Sequence, residues 1–246
     1  LGNDAGFAFG LAQFSRLKEE LLRAVEAALG QRYLFDAVVP GGMAVDADAA
    51  QQRALAQCLA DIGREVLNLR NIYDEHAGVQ DRFVGAGRVA PELARRLGLI
   101  GLAGRASGQE LDLRADRPWQ PYDVLAPAKC VQSAGDVAAR VSVRFEELQV
   151  SIRLATRLLG ELPAGTVRVP VPSPPAGLGI GLIEGWRGPV LVALEVDARG
   201  AIARCHPHDP SWQNWPVLEH AILGNIVPDF PLINKSFNLS YSGHDL

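Results

Sequence analysis

Starting at Phe7, apolar residues recur at Leu11, Phe14, Leu17, Leu21, Val25 and Ala28, steps of three and four that line one helical face. Asn3 or Asp4 offers an N-cap, and Gly30 stops the helix. Residues 31–45, broken by Pro40-Gly41-Gly42, read as a connecting loop. A second long helix follows, capped by Asp46 or Asp48, with Leu55, Leu59, Ile62, Val66, Leu69 and Tyr73 on its apolar face and Gly78 at its end. Pro91 opens a short helix that runs to Leu97, before Gly98. The clearest stripe begins after Asp136 and carries Val141, Phe145, Leu148, Ile152, Ala155, Leu159 and Leu162 until Pro163. Arg140, Arg144, Glu147, Arg153 and Arg157 mostly face elsewhere. Three long amphipathic helices predict a bundle with Leu148 and Ile152 in its core.

Beyond Pro163 the texture changes. Pro170, Pro172, Pro174 and Pro175 make an irregular extended crossing, after which 189–196 and 201–205 read as two strands joined at Asp197-Ala198-Arg199-Gly200. A last helix spans Trp215 to Leu223 and ends at Gly224-Asn225, leaving 226–246 as a tail. The expected fold is mainly α, of the α+β kind: a multihelical bundle with a small antiparallel β-hairpin appendage. No repeat or linker divides it, so 1–246 reads as one domain, helical over 1–163 and β-containing over 164–246.

With 246 residues, 48% of them hydrophobic and 21% charged, the chain can bury a substantial core. A net charge of -4, and the lack of any Lys/Arg cluster interleaved with aromatics, argue against nucleic acid as a partner. Apolar runs are interrupted before the roughly 18 residues a spanning helix needs, so membrane association would go through partner subunits. The opening Leu1-Gly2-Asn3-Asp4-Ala5-Gly6 is no signal peptide and reads as the start of an excised piece of a longer chain. Cys58, Cys130 and Cys205 lie more than seventy residues apart, the spacing of reduced, buried thiols in a cytosolic protein rather than of a disulfide framework.

Candidate chemistry is sparse. Cys205-His206-Pro207-His208-Asp209 holds four residues competent to bind zinc but lacks a second ligand pair, and reads as a hydrogen-bonded loop turning the hairpin toward Trp212. Were the strand to continue, His206 and His208 would share a side. His220 reads as a partly buried structural imidazole and His76 as the complement to a helix dipole. His244 and Asp245 lack a nucleophile and an orienting third group. Gly101, Gly104 and Gly108 form no phosphate-loop pattern. Arg105, Arg114, Arg140, Arg144 and Arg187 are expected to pair with Asp112, Asp136, Glu147 and Glu184. No catalytic residue, metal ligand set or nicotinamide site is assigned.

Four segments carry a resemblance. They are Leu1 to Phe7 with Gln13-Phe14-Ser15-Arg16-Leu17-Lys18 and Val39-Pro40-Gly41-Gly42; Ala106 to Arg114 with Pro121-Tyr122, continuing into Gly135-Asp136-Val137, Arg140, Val143-Arg144 and Glu147; Glu184-Gly185-Trp186-Arg187-Gly188; and the tail Ile233 to Leu246. Together they resemble the large subunit of membrane-bound, formate-hydrogenlyase-type [NiFe] hydrogenases and the related quinone-facing catalytic-core subunit of respiratory complex I. In that lineage the tail resembles Asp-Pro-Cys-x-x-Cys, a pattern that here falls on Asn238, Leu239, Ser240 and Gly243 without either cysteine. Serine and glycine cannot replace the soft thiolates that nickel and iron require.

The resemblance implies the C-terminal part of a hydrogenase-like subunit in a membrane-associated NADH-quinone oxidoreductase or formate-hydrogenlyase-type complex, inactive alone. It implies no cofactor in this piece and a quinone in the full complex, with a cavity expected at Phe237, Ser240, Gly243 and His244. The implied partners are a small iron–sulfur subunit and membrane subunits, which would hold the chain on the cytoplasmic side of the inner membrane. The alternative is a non-catalytic docking subunit for the same partners.

Overall fold

In the computed structural model, which describes residues 1–245, the first helix begins later than the sequence predicts. The leading residues form a turn in which the Phe7 amide donates to the Gly2 carbonyl at 2.7 Å, and α1 (Ala8–Leu29) starts without a side-chain cap. Gly30 closes it in left-handed backbone, φ 79°, where a residue without Cβ is unstrained. The expected loop contains a two-residue ladder, β1 (Val38–Val39) against β2 (Gly42–Met43), too short to show alternation in sequence.

Asp48, not Asp46, caps α2 (Ala49–Glu75): its carboxylate accepts from the amides of Ala50 and Gln51, while the Gln51 side chain accepts from the Asp48 amide at 2.8 Å. Gly78 does not end this helix. His76 does, and its Nδ1 accepts the Val79 amide at 3.2 Å to start α3 (Ala77–Phe83). The imidazole therefore caps an N-terminus instead of complementing the end of α2. α4 (Pro91–Arg96) follows the expected course; α5 (Gly101–Arg105), α6 (Leu113–Asp116) and α7 (Tyr122–Leu125) occupy stretches to which the sequence assigns no element and are too short to display a helical stripe. Asp136 caps α8 (Val137–Glu161), accepting from Ala139 at 2.8 Å.

The main core lies where α2 and α8 cross beneath α1. Leu59, Ile62, Val66, Leu69 and Tyr73 meet Val137, Val141, Phe145 and Ile152, and Leu17 closes the layer from α1. Gly63 lets the two long helices approach: its carbonyl accepts from Gln149 at 2.9 Å, and a Cβ there would sit 3.4 Å from Ile152. Leu148, expected in the core, is only half-buried.

The sheet differs most from expectation. β3 (Gly177–Gly185), β4 (Gly188–Val196) and β5 (Ile202–His208) form an antiparallel sheet in that order, so the predicted hairpin gains a third strand. Gly177, Gly179 and Gly181 at alternate positions hid β3, since glycine weakens any strand signal. β5 continues through His206 and His208, paired with Ala193 and Leu191, where a loop was expected. α9 (Ser211–Ala221) starts earlier than predicted and accommodates Pro216. The supposed tail holds a 3-10 turn at Val227–Asp229 and then α10 (Phe230–Phe237), which buries Leu232, Ile233 and Phe237. The result is a mainly helical bundle with one small antiparallel sheet. The three thiols are free, but only Cys130 is buried, whereas Cys205 is exposed on β5.

Candidate functional site

A glycine opens the site. Gly10 of α1 lies so near the Tyr73 hydroxyl of α2 that a Cβ would come within 2.1 Å of it. Between α1, α2, α8 and α10 the packing leaves a cavity of about 360 Å³, a size suited to a small organic ligand. Leu11, Phe14, Tyr73, Val141, Phe145 and Leu148 make its walls apolar, while Arg144, Lys235 and Asn238 bring polar groups to it. Trp186, from the turn between β3 and β4, also lines it and is 47% exposed. No carboxylate is among the described residues that line it.

Two arginines stand one turn apart on α8, and the second of them, Arg144, lines the cavity. Arg140 is fully buried and donates to the Ser236 hydroxyl at 2.8 Å and to the carbonyls of Gly135 and Gly87 at 2.8 and 2.9 Å, with its guanidinium carbon 4.2 Å from the Phe237 ring centroid. Arg144 donates to the carbonyls of Arg140 at 3.2 Å and Ser236 at 2.5 Å. Burial pushes their pKa values down, to about 9 for Arg140 and about 10 for Arg144, yet a guanidinium in such surroundings stays protonated at neutral pH.

The expected pairing with Asp136 and Glu147 does not occur for these two. Asp136 serves helix and loop amides, accepting from Ala139 and from Gly85. Glu147 instead accepts from Arg105 at 2.5 Å, and Arg105 also donates to Glu184 at 3.0 Å, joining α5, α8 and β3 in one buried cluster. Burial disfavours the Glu184 carboxylate more than Arg105 favours it, so its pKa lies above the ordinary value. Arg114 pairs with Asp112 at 2.7 Å as expected, and Arg187 donates to the Asn238 carbonyl at 2.6 Å.

The sequence-predicted cavity residues lie beside this site rather than in its wall. Phe237 is buried under Arg140, and the tail residues that line the cavity are Lys235 and Asn238. Ser240 belongs to a closed turn packed on α9: its amide donates to the Ser211 hydroxyl at 2.9 Å, its own hydroxyl accepts the Gly243 amide at 3.0 Å, and Trp215 donates to its carbonyl at 3.3 Å. The His244 ring sits 5.2 Å from that of Trp212 and 6.2 Å from that of Trp215. A Cβ on Gly243 would fall 2.7 Å from the Asp209 carboxyl carbon, so no larger side chain fits without displacement.

These residues do not fit a nickel–iron centre: they offer one hydroxyl already engaged and one position with no side chain. Nor does any group of three or more His, Cys, Asp or Glu stand in metal-holding proximity among the described residues, Cys205 to Asp209 included. His220, expected to be partly buried, is exposed. Sequence reasoning missed Arg144, Lys235 and Trp186 as cavity residues; the one available signal was a pair of arginines at i and i+4 bordering an apolar stripe.

Residues 4–173 match the family described as the respiratory-chain NADH dehydrogenase 49 Kd subunit. The chain belongs to this family. Among 49 Kd subunit relatives, formate hydrogenlyase subunit 5 of Escherichia coli (strain K12) is 31% identical over 98% of this chain and 42% of its own length. The carbon monoxide-induced hydrogenase of Rhodospirillum rubrum is 28% identical over 97% of this chain and 66% of its own. An NADH-quinone oxidoreductase subunit of Clostridium beijerinckii is 29% identical over 92% and 62%. The chain thus spans less than two thirds of each of these relatives. A chain in the structure of the membrane-bound sulfane sulfur reductase, an archaeal respiratory membrane complex, shares the fold with a TM-score of 0.92 at 23% identity, covering 100% of this chain and 69% of that one. Among the described residues no helix is long and apolar enough to cross a membrane.

Proposed function

We propose that this 49 Kd-family chain works as the C-terminal part of a hydrogenase-like large subunit in a membrane-associated electron-transfer complex, and that its cavity receives a quinone-like acceptor instead of a nickel–iron centre. The carrying observation is the apolar, cation-edged cavity of about 360 Å³ beside a tail that presents no thiolate. An aromatic head group would be enclosed by Phe14, Tyr73 and Phe145, and the donors of Arg144 and Asn238 would meet its carbonyl oxygens.

A small iron–sulfur subunit supplies the electrons in this reading, and membrane subunits keep the complex on the cytoplasmic side of the inner membrane. Two exposed apolar groups support such partners: Phe35 and Val38 around the β1–β2 ladder, 71% and 77% exposed, and Val227 before α10, 87% exposed. Without its partners the chain is expected to be inactive.

Titration of the chain with decylubiquinone, followed through tryptophan fluorescence, tests the acceptor site. Saturable quenching that Trp186→Phe largely removes, and that Leu148→Trp abolishes by filling the cavity, is the expected result. Absence of saturable quenching, or quenching indifferent to Leu148→Trp, would leave a docking subunit as the better description.

A further inference from the structure

The charge of the cavity is one-sided. Arg144 has five N–H donors, and two hydrogen bonds to protein carbonyls, at 3.2 and 2.5 Å, engage it. Lys235 stands exposed on α10 and also lines the cavity; among the described residues neither cation has a carboxylate within salt-bridge distance. Three acids on the adjoining segments are committed elsewhere. Glu147 is held by Arg105 at 2.5 Å, Asp229 by Arg82 at 2.9 Å, and Asp209 accepts the Ser211 amide at 2.8 Å.

Seating a neutral ligand here would strip water from the remaining donors of Arg144 and leave its charge without a counter-charge. An anionic oxygen supplies that counter-charge, adding an ion pair to the same hydrogen bonds. We propose that the cavity selects apolar organic anions, hydroxyquinone anions in particular, with the apolar body against Phe145 and Leu148 and the ionised oxygen on Arg144, assisted by Lys235. This rests on the acceptor reading and narrows it from quinone-like molecules in general to those whose head group is ionised. Arg144 becomes the residue that sets selectivity.

The test compares three probes by calorimetry on the 246-residue chain: 1,4-naphthoquinone, its 2-hydroxy derivative, which is ionised at neutral pH, and decanoate. The hydroxy compound is expected to bind about tenfold or more tightly than the parent, the margin a close charge pair supplies. Arg144→Met should erase that preference and Arg144→Lys should restore part of it. Should Arg144→Met fail to fold, Lys235→Met, an exposed change, is expected to weaken the preference on its own, and rising salt should weaken it in the unaltered chain. Equal binding of the two quinones would overturn the selectivity while leaving the acceptor reading intact. Decanoate binding with neither quinone bound would keep the anion site and defeat the acceptor reading. No binding of any probe, or a preference unmoved by both substitutions, would overturn this proposal.

Discussion

Arg105→Met should be among the most damaging single changes in this chain, and Glu184→Gln clearly milder. Arg105 lies between Glu147 and Glu184, whose side chains are 7% and 3% exposed, and it also donates to the Leu111 carbonyl at 2.9 Å. Methionine keeps the stem but leaves two buried carboxylates with no counter-ion. Breaking a buried pair from one side costs about 3–5 kcal/mol, and two stranded acids place this site at the upper end. Glu184→Gln instead leaves Arg105 and Glu147 as a one-to-one pair, but its single amide oxygen can accept from either Leu113 or Arg105, at 3.2 and 3.0 Å in the carboxylate, and not from both. Since burial already disfavours the ionised form of Glu184, the lost charge itself costs little, and the donor left without an acceptor sets the loss at about 1–3 kcal/mol. Urea unfolding with matched slopes would measure both, and thermal midpoints should separate by about 2–4 °C per kcal/mol. Equal losses for the two variants would refute this account of the cluster.

Four further outcomes are expected. Ile152→Ala, in the closed core, should cost about 2–5 kcal/mol, and Leu148→Ala, on the cavity wall, clearly less; similar losses in denaturant titrations would place Leu148 in the core after all. The folded chain retains a proton on Glu184 that the unfolded chain has released, so stability falls as pH rises from the ordinary carboxylate value through the raised one, and melts of Glu184→Gln should lack that decline; Asp112, held low, acts oppositely and loses its contribution as pH falls. Ser240→Cys with Gly243→Cys should bind no stoichiometric nickel or iron, because Asp209 crowds the second position; elemental analysis finding about one nickel per chain would contradict the donor-set argument. Exposed Phe35, Val38 and Val227 should drive self-association of the isolated chain, and sedimentation as a strict monomer at high concentration without binding of a hydrophobic dye would count against partner-covered faces.

The long helices were legible because their stripes persist over many turns: Leu59 to Tyr73 on α2, and Val141, Phe145 and Ile152 on α8, are buried as the spacing requires. β3 was not, since its alternate glycines leave Leu178, Ile180 and Leu182 isolated from any strand-like run. α10 escaped because Ile226 to Leu246 was read as a continuous tail, although Pro231 marks a helical first turn. The loss of thiolates could be read directly, as it resides in the identities of Ser240 and Gly243. The cavity could not, because it exists only where four elements converge. Arginine partners were half legible: Arg114 and Asp112 are two residues apart, whereas the choice of Glu147 between Arg144 and Arg105 depends on how α5 packs against α8.

The three-stranded sheet is fastened to the bundle at few places. Arg105 holds Glu184 at its base, and Gly101 of α5 admits the Arg187 carbonyl so closely that a Cβ would lie 1.8 Å away, while most of β3 and β5 stays open to solvent. Such an arrangement separates into cooperative units of unequal strength. Amide protons on β3 and β5 should exchange with deuterium through a partial opening that leaves α2 and α8 intact, and amide protons in those two helices only through complete unfolding. The sheet would then behave as a foldon loosened by disturbing Arg105, giving the chain a low-energy route to expose the Trp186 side of its cavity without melting the helices that form the rest of it.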